Sequence, residues 1–370
     1  MIRLGKQSEV EEYFEREAAS QSFLKLLLAG VDFLNQNEKN LYYEEKGHFI
    51  IGSGVDSYIT QGQQEFESQY YYADTLKPTE KVMSIVQMVY DRLDTHPLLE
   101  YDRLLSYRDH ILEASNEHAY QSKWLDDTRI NKIIETGSDY FQELIESSGK
   151  QILSKAEDLV ISNIVMSFRT HKHTAHYFRD SQDIDILYQV PIYFNHNGVN
   201  CKALLDMVII NRRKKLIQIV DLKTMGDIVT KFPKAVKDRG YNIQAAFYTQ
   251  AMEALINGQA SSSVRELGIL GDYQILPFRF IVETTNHKIN KVTGDITTYQ
   301  GKPMVYRLSG EQMVFGKKGR DALYPYFGGH RITFPAIRGF EQALELYKWH
   351  QENGFEYDKE VFENNGELLI

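Results

Sequence analysis

The stretch ALLDMVIINRRKKLIQIVDLKT, Ala203 to Thr224, decides the fold. It consists of two apolar runs joined by the basic turn Arg212-Arg213-Lys214-Lys215. Runs apolar on both faces read as strands buried within a sheet. Asp206, Asp221 and Lys223 interrupt them. A buried carboxylate is costly unless it is paired or holds a cation. If the hairpin turns about Arg213-Lys214, positions whose numbers sum to 427 face each other, setting Asn211 opposite Leu216 and Asp206 opposite Asp221. Opposed side chains on one face have Cβ atoms about 4.5–5.5 Å apart. Two carboxylates that close repel, and a shared divalent cation is the simplest way to stabilise both. Lys223, two residues beyond Asp221, projects from the same face.

The preceding residues extend the pattern. Ile186 to Phe194 reads as a strand, and His196-Asn197-Gly198 is a strong hairpin signal. A turn centred on Asn197-Gly198 pairs positions that sum to 395 and sets Gln189 opposite Asp206. The expected order across one face is therefore Gln189, Asp206, Asp221. Downstream, Tyr241 to Asn257 reads as a helix that presents Gln244 and Tyr248 on one face, four residues apart. Phe278 to Glu283 is a further strand.

The first half reads as mainly helical. Val10 to Asn35 reads as helical, with Ser20 or Ser22 placed to cap the apolar run Phe23 to Leu28. Thr79 to Ser115 and Trp124 to Phe168 carry apolar residues at helical spacing. In HFIIGSGVDSYI, His48 to Ile59, two glycines interrupt an apolar run. Either Ser53 caps a helix there with Asp56 as its partner, or close-packed glycines aim Asp56 into a site. His171, His173 and His176 cluster, but their spacing does not share one helical face, so a polar connector is expected rather than zinc. Pro325 to Gly329 reads as a loop and Gly339 to Asn353 as a closing helix.

Composition narrows the function classes. The 370 residues suffice for one large domain. No apolar run is long enough to cross a bilayer and no signal-peptide pattern opens the chain, so no membrane partner is expected. Cys201 is the only cysteine, which excludes an internal disulfide and a cysteine-ligated cluster and fits a reducing, cytoplasmic setting. Net charge is −9, yet Cys201 to Gly240 is locally +6. That segment holds Arg212, Arg213, Lys214, Lys215, Lys231 and Lys234, which are candidate contacts for a phosphate backbone. A solvated turn and helix would explain them equally.

Taken together these residues resemble the PD-(D/E)XK nuclease superfamily, in particular its RecB and lambda-exonuclease-like branch. Asp206 matches the first acid of the signature, Asp221-Leu222-Lys223-Thr224 its D-x-K core, and Gln244-Ala245-Ala246-Phe247-Tyr248 the QxxxY helix. Gly52 to Asp56 resembles the upstream GxxxH motif with Asp in place of His, and Gln189 stands where some relatives carry a glutamate.

The resemblance implies one α/β domain over 1–370, a restriction-endonuclease-like core with a central mixed sheet flanked by helices and an N-terminal helical elaboration. Residues 1–180 would form the helical part, 185–290 the catalytic core and 300–370 a C-terminal extension. It implies metal-assisted phosphodiester hydrolysis. Asp206, Asp221, the Leu222 carbonyl and Asp56 would hold Mg²⁺ or Mn²⁺; Lys223 would orient the attacking water; Gln244 and Tyr248 would position the phosphate or steady the lysine. The expected substrate is DNA, at double-stranded ends. By analogy, a homo-oligomer, a recombination partner protein and a phage gene in a bacterial host are expected. An exonuclease leads. A structure-specific endonuclease and an inactive fold serving as a DNA-binding or assembly module are the alternatives.

Overall fold

The computed structural model describes the chain except for residues 33, 35–46, 74, 76, 94–102, 290–295, 300, 325, 328–329, 332–335 and 365–370. The chain opens with strand β1 (Ile2–Arg3), helix α1 (Gln7–Glu15), strand β2 (Ala19–Ser20) and helix α2 (Gln21–Ala29). The stretch expected to be helical, Val10 to Asn35, holds two helices, the second capped at Ser20, one of the two expected serines; Asn35 lies outside the described residues. The break has a local cause. Ala19 and Ser20 pair with Cys201 and Lys202 of the sheet, and Ser20 Oγ accepts from the Phe23 N–H at 3.3 Å, starting a new helix.

Helix α3 (Gly47–Thr60) runs through both glycines of the GSG stretch, so Ser53 is not its cap. A Cβ at Gly54 would stand 2.5 Å from Ile161 Cδ1. The glycines therefore serve close helix packing rather than a break. There follow α4 (Gln63–Gln69), β3 (Tyr70–Ala73), α5 (Glu80–Leu93), α6 (Arg108–Glu117), α7 (Asp126–Ser147), β4 (Gln151–Ser154) and α8 (Lys155–Thr170). Helices α5 to α7 enclose their own apolar cluster, centred on Ile85, Val86, Ile133 and Phe141. Ser154 and Glu157 form a capping box at the start of α8.

Strands β5 (Ile184–His196), β6 (Val199–Asn211) and β7 (Leu216–Met225) make an antiparallel meander. Asn197 and Gly198 both take positive φ, 50° and 84°, as a two-residue hairpin turn requires. The β5–β6 pairs sum to 395 along the whole ladder and the β6–β7 pairs to 427, as the two turns predict. After β7 come α9 (Lys231–Asp238), α10 (Tyr241–Ile256), β8 (Ala260–Ser261) and β9 (Gln274–Ile275). Strand β10 (Arg279–Thr284) then returns parallel to β7. The hairpin β11 (His287–Ile289) and β12 (Ile296–Tyr299) leads to β13 (Met304–Arg307), antiparallel to β10. The sheet order is β1-β5-β6-β7-β10-β13, so the fold is α/β with a mixed sheet. Helices α11 (Gly310–Lys318) and α12 (Phe340–Asn353) follow. In the stretch expected as a loop, Tyr326–Phe327 pairs with His330–Arg331; Pro325, Gly328 and Gly329 lie outside the described residues.

Helices cover both sheet faces. On one, α10 packs Ala245, Phe247 and Ala251 against Leu187, Val190, Leu205, Val208 and Ile219. On the other, α3 and α8 pack Val55, Ile161 and Phe168 against Tyr188, Met207, Val220 and Leu222. Alternation fails at one point. Leu187 and Val190 share the α10 face although three residues apart, and so do Leu205 and Val208. Between them lie Gln189 and Asp206, directly opposed in register. Gln189 takes φ 48°, a left-handed conformation that costs a non-glycine residue free energy and concentrates at functional sites. Gln189 thereby turns to the α3 face, so the expected row of Gln189, Asp206 and Asp221 on one face does not form.

Candidate active site at a fork in the sheet

The β6–β7 ladder ends at Met207 opposite Val220. One step further the strands part. Asp206 Oδ2 accepts from the Leu222 N–H at 3.1 Å, a side chain doing the work of a ladder carbonyl. Beyond the fork, β6 pairs instead with β2, while β7 keeps β10 as its parallel neighbour.

Asp221 is fully buried. Its Oδ1 accepts from Gln244 Nε2 at 2.6 Å. Its Oδ2 pairs with Lys223 Nζ at 2.5 Å. Lys223 Nζ also stands 5.4 Å over the Tyr241 ring. Burial alone would lower the Lys223 pKa, but Asp221 and Asp206 together raise it, so the ammonium stays charged. Tyr248 is buried behind the acids; burial, then Asp206 and Asp221, hold its phenol well above the ordinary range.

The two other acids are under strain. Burial, then Asp221, pushes Asp206 well above its usual value, with Lys223 opposing and Asp56 adding. Asp56 approaches from α3 on the other face. Burial raises it to about 6, against the pull of Lys223. Gln189 Nε2 donates to Asp56 Oδ2 at 3.0 Å and to Thr60 Oγ1 at 3.2 Å. The glycine before this acid matters too, since a Cβ at Gly52 would meet Thr224 Oγ1 at 3.2 Å.

No protein-family model matches the chain, and no curated protein matches it. Function is therefore argued from geometry.

Among the described residues, no group of three or more His, Cys, Asp or Glu side chains is arranged as a metal cage. The donor chemistry nonetheless suits a hard cation. Asp221 is a fully buried carboxylate whose Oδ2 is met by the Lys223 ammonium at 2.5 Å, and Asp206 beside it favours either a proton or a cation over bare charge. Lys223 supplies the positive charge paired directly with Asp221. The histidines 171, 173 and 176 stay a connector: the His173 N–H donates to His171 Nδ1 at 3.3 Å, and His176 lies against Tyr177.

The structure divides the six basic residues expected near DNA. Arg212, Arg213, Lys214 and Lys215 sit at the far end of β7, about 20 Å from Asp221 at roughly 3.3 Å per residue. Arg212 Nε pairs with Asp185 at 2.7 Å and Arg213 Nε with Asp183 at 3.2 Å; Lys215 covers the Tyr273 ring. Lys231 and Lys234 are exposed on α9, just past the site end of β7. Sequence reading missed two neighbours of Lys223. Tyr241 is one. Lys25 is the other, and burial, then Lys223, lowers its pKa to about 8. A lone lysine inside the apolar run Phe23 to Leu28 was the available signal.

Proposed function

We propose that this protein is a metal-dependent DNA nuclease of the PD-(D/E)XK kind that hydrolyses phosphodiester bonds, acting as an exonuclease in recombination or replication. The observation that carries the reading is the convergence of Asp206, Asp221, Lys223 and Gln244 at the strand fork, where two acids share one buried spot with a single lysine paired to Asp221. Support also comes from the mixed sheet itself, which holds the D-x-K strand between an antiparallel and a parallel neighbour, with the QxxxY helix packed on its face.

Asp206, Asp221 and the Leu222 carbonyl would hold Mg²⁺ or Mn²⁺, with Asp56 joining from the opposite face. The bound ion supplies Lewis acidity and a water of lowered pKa. The chain's own groups do the rest. Gln244 fixes the rotamer of Asp221 through its 2.6 Å bond. Lys223 keeps its ammonium beside the acids and offsets charge that accumulates on the phosphate. Gln189 holds Asp56 in place, and the Tyr248 phenol closes the back of the site.

Digestion of end-labelled linear double-stranded DNA with Mg²⁺ or Mn²⁺ tests this, comparing wild type with Asp221→Ala and Lys223→Ala. Cleavage by the wild type and loss in both folded variants is expected. Cutting of closed circles would replace the exonuclease by an endonuclease. DNA binding without cleavage under either metal would replace both by an inactive binding module.

A further inference from the structure

A cavity of about 680 Å³ lies between α2, the junction of α9 with α10, and the segment 336–338. Its wall is apolar, with Leu26, Leu28 and Ile243. Its rim carries Lys25, Lys237, Arg239 and Arg338 against one acid, Asp238. In a chain of net charge −9 this is a marked local excess of positive charge. Among the described residues, no acid forms an ion pair with any of the four cations. The Lys25 stem lies over Gly240, whose φ is 62°; a Cβ there would stand 2.7 Å from Lys25 Cδ. Lys25 Nζ reaches the Arg239 carbonyl at 3.4 Å.

A second feature points the same way. The N-terminus of α10 opens on this cavity through Asn242 and Ile243, without a side-chain cap. Helix N-termini favour anions. Asn242, only 2% exposed, lines the cavity, and its Nδ2 has no hydrogen-bond partner. The same helix turn carries Tyr241 against Lys223 and, next, Gln244 on Asp221. Cavity and acids thus share one helix end.

We infer that this cavity binds one nucleotide of the nucleic-acid strand, next to the bond that is cleaved. Its phosphate is held by Lys25, Arg338 and the helix N-terminus, and its sugar and base lie on the Leu26–Leu28–Ile243 wall. The volume is that of a small-molecule site. The inference rests on the nuclease reading, so its test reads binding apart from cleavage.

The probe is a fluorescein-labelled single-stranded deoxydecamer, followed by anisotropy in EDTA. Doubly substituted Lys25→Met/Arg338→Ala protein should bind it about ten-fold more weakly. The salt dependence of log Kd should flatten by about 1.4, at roughly 0.7 per cation on a single strand. Deoxyadenosine monophosphate should displace the probe at least about ten-fold better than inorganic phosphate. An unchanged Kd and salt slope in the double variant would overturn the inference, even if the wild type cleaves DNA. So would inorganic phosphate competing as well as the nucleotide. A wild type that shows the expected binding and competition but cleaves nothing with Mg²⁺ or Mn²⁺ would sink the nuclease proposal and leave the cavity standing.

Discussion

The Asp206 carboxylate accepts the backbone N–H of Leu222 at 3.1 Å, where the sheet ladder would have supplied a carbonyl. This one bond ties the first acid to the strand of the second at the point where the strands part. It also brings like charges together, and burial compounds the cost. The predictions follow from that strain.

Neutralising the strained acids should stabilise the metal-free protein. Asp56 is raised from 3.8 to about 6. A folded pKa above the unfolded one means that the folded state binds the proton more tightly, so stability falls as pH rises from about 4 to about 6 and stays low above it. The shift corresponds to at most about 3 kcal/mol, nearer roughly 1 kcal/mol after solvent screening. Asp56→Asn, which can still accept from Gln189, should therefore raise Tm at pH 7.5 and leave it unchanged near pH 3.5. Asp206→Asn should act in the same direction. Thermal melts of both variants at the two pH values check this; equal shifts at both pH values would show that the acids are not strained.

Divalent cations should bind with release of protons. Asp206 and Asp56 both favour their protonated forms, and a metal ligand must be deprotonated. Mg²⁺ or Mn²⁺ affinity should thus strengthen as pH rises from 5 to 8, the range where Asp56 loses its proton. At ten times Kd the cation should stabilise the fold by about 1.4 kcal/mol. Asp221→Ala should abolish the effect. Calorimetric titration in two buffers of different ionisation enthalpy reads the proton release directly, and metal binding without it would remove Asp206 and Asp56 from the ligand set.

Much of this site was legible in sequence because strand registers are whole numbers. Two turns, about Arg213-Lys214 and at Asn197-Gly198, fixed both ladders, and pairing then followed by counting. Counting assumes strict alternation, and there it failed. Nothing in the residue types announced that Gln189 would take φ 48° and cross to the α3 face, because a backbone twist at a non-glycine residue is imposed by tertiary packing. Gly5 shows that pressure: a Cβ there would stand 2.5 Å from Gln189 Cβ. The distance of the basic turn from the acids was hidden for a related reason. Sequence proximity to Asp206 and Asp221 hid the length of the hairpin, which carries Arg212 to Lys215 to its opposite end. The helix start after Ala19 was legible in Ser20, which caps it; the strand pairing of Ala19 with Cys201, far along the chain, was not.

Gln244 should matter to catalysis through Asp221 rather than through substrate alone. Its amide is buried and donates to Asp221 Oδ1 at 2.6 Å. Gln244→Ala removes the donor on Oδ1 of a fully buried carboxylate and leaves Lys223 alone on the other oxygen, at a cost of about 1–3 kcal/mol in stability. Activity should fall roughly 10–100-fold, in line with the loss of groups that orient metal ligands. Gln244→Glu should be worse for metal-free stability at neutral pH, since it adds a third buried acid beside Asp221 and Asp206. Melts and single-turnover cleavage by the two variants check this, and a fully active Gln244→Ala would remove the residue from the site.

Gly54 tests whether helix packing sets the position of Asp56. Helix α3 crosses α8 closely enough that a Cβ at Gly54 would stand 2.5 Å from Ile161 Cδ1, with Phe66 Cε2 at 3.4 Å. Ile161 is itself fully buried, so its terminal carbon has little room to withdraw. Gly54→Ala gains helix propensity of about 1 kcal/mol, but overpacking costs about 1–3 kcal/mol, and the clash should win. Asp56 lies two residues on and would be pushed with the helix away from Gln189. The expected result is a lower Tm together with weaker metal binding, whereas Ser53→Ala, on the exposed side of the same helix turn, should change neither. If Gly54→Ala instead raises Tm through helix propensity and leaves metal affinity intact, the glycines do not position Asp56 and the motif they resemble has no role in this chain. Compensation by a smaller neighbour separates the causes: Ile161→Val on the Gly54→Ala background should recover metal affinity if packing alone moved Asp56.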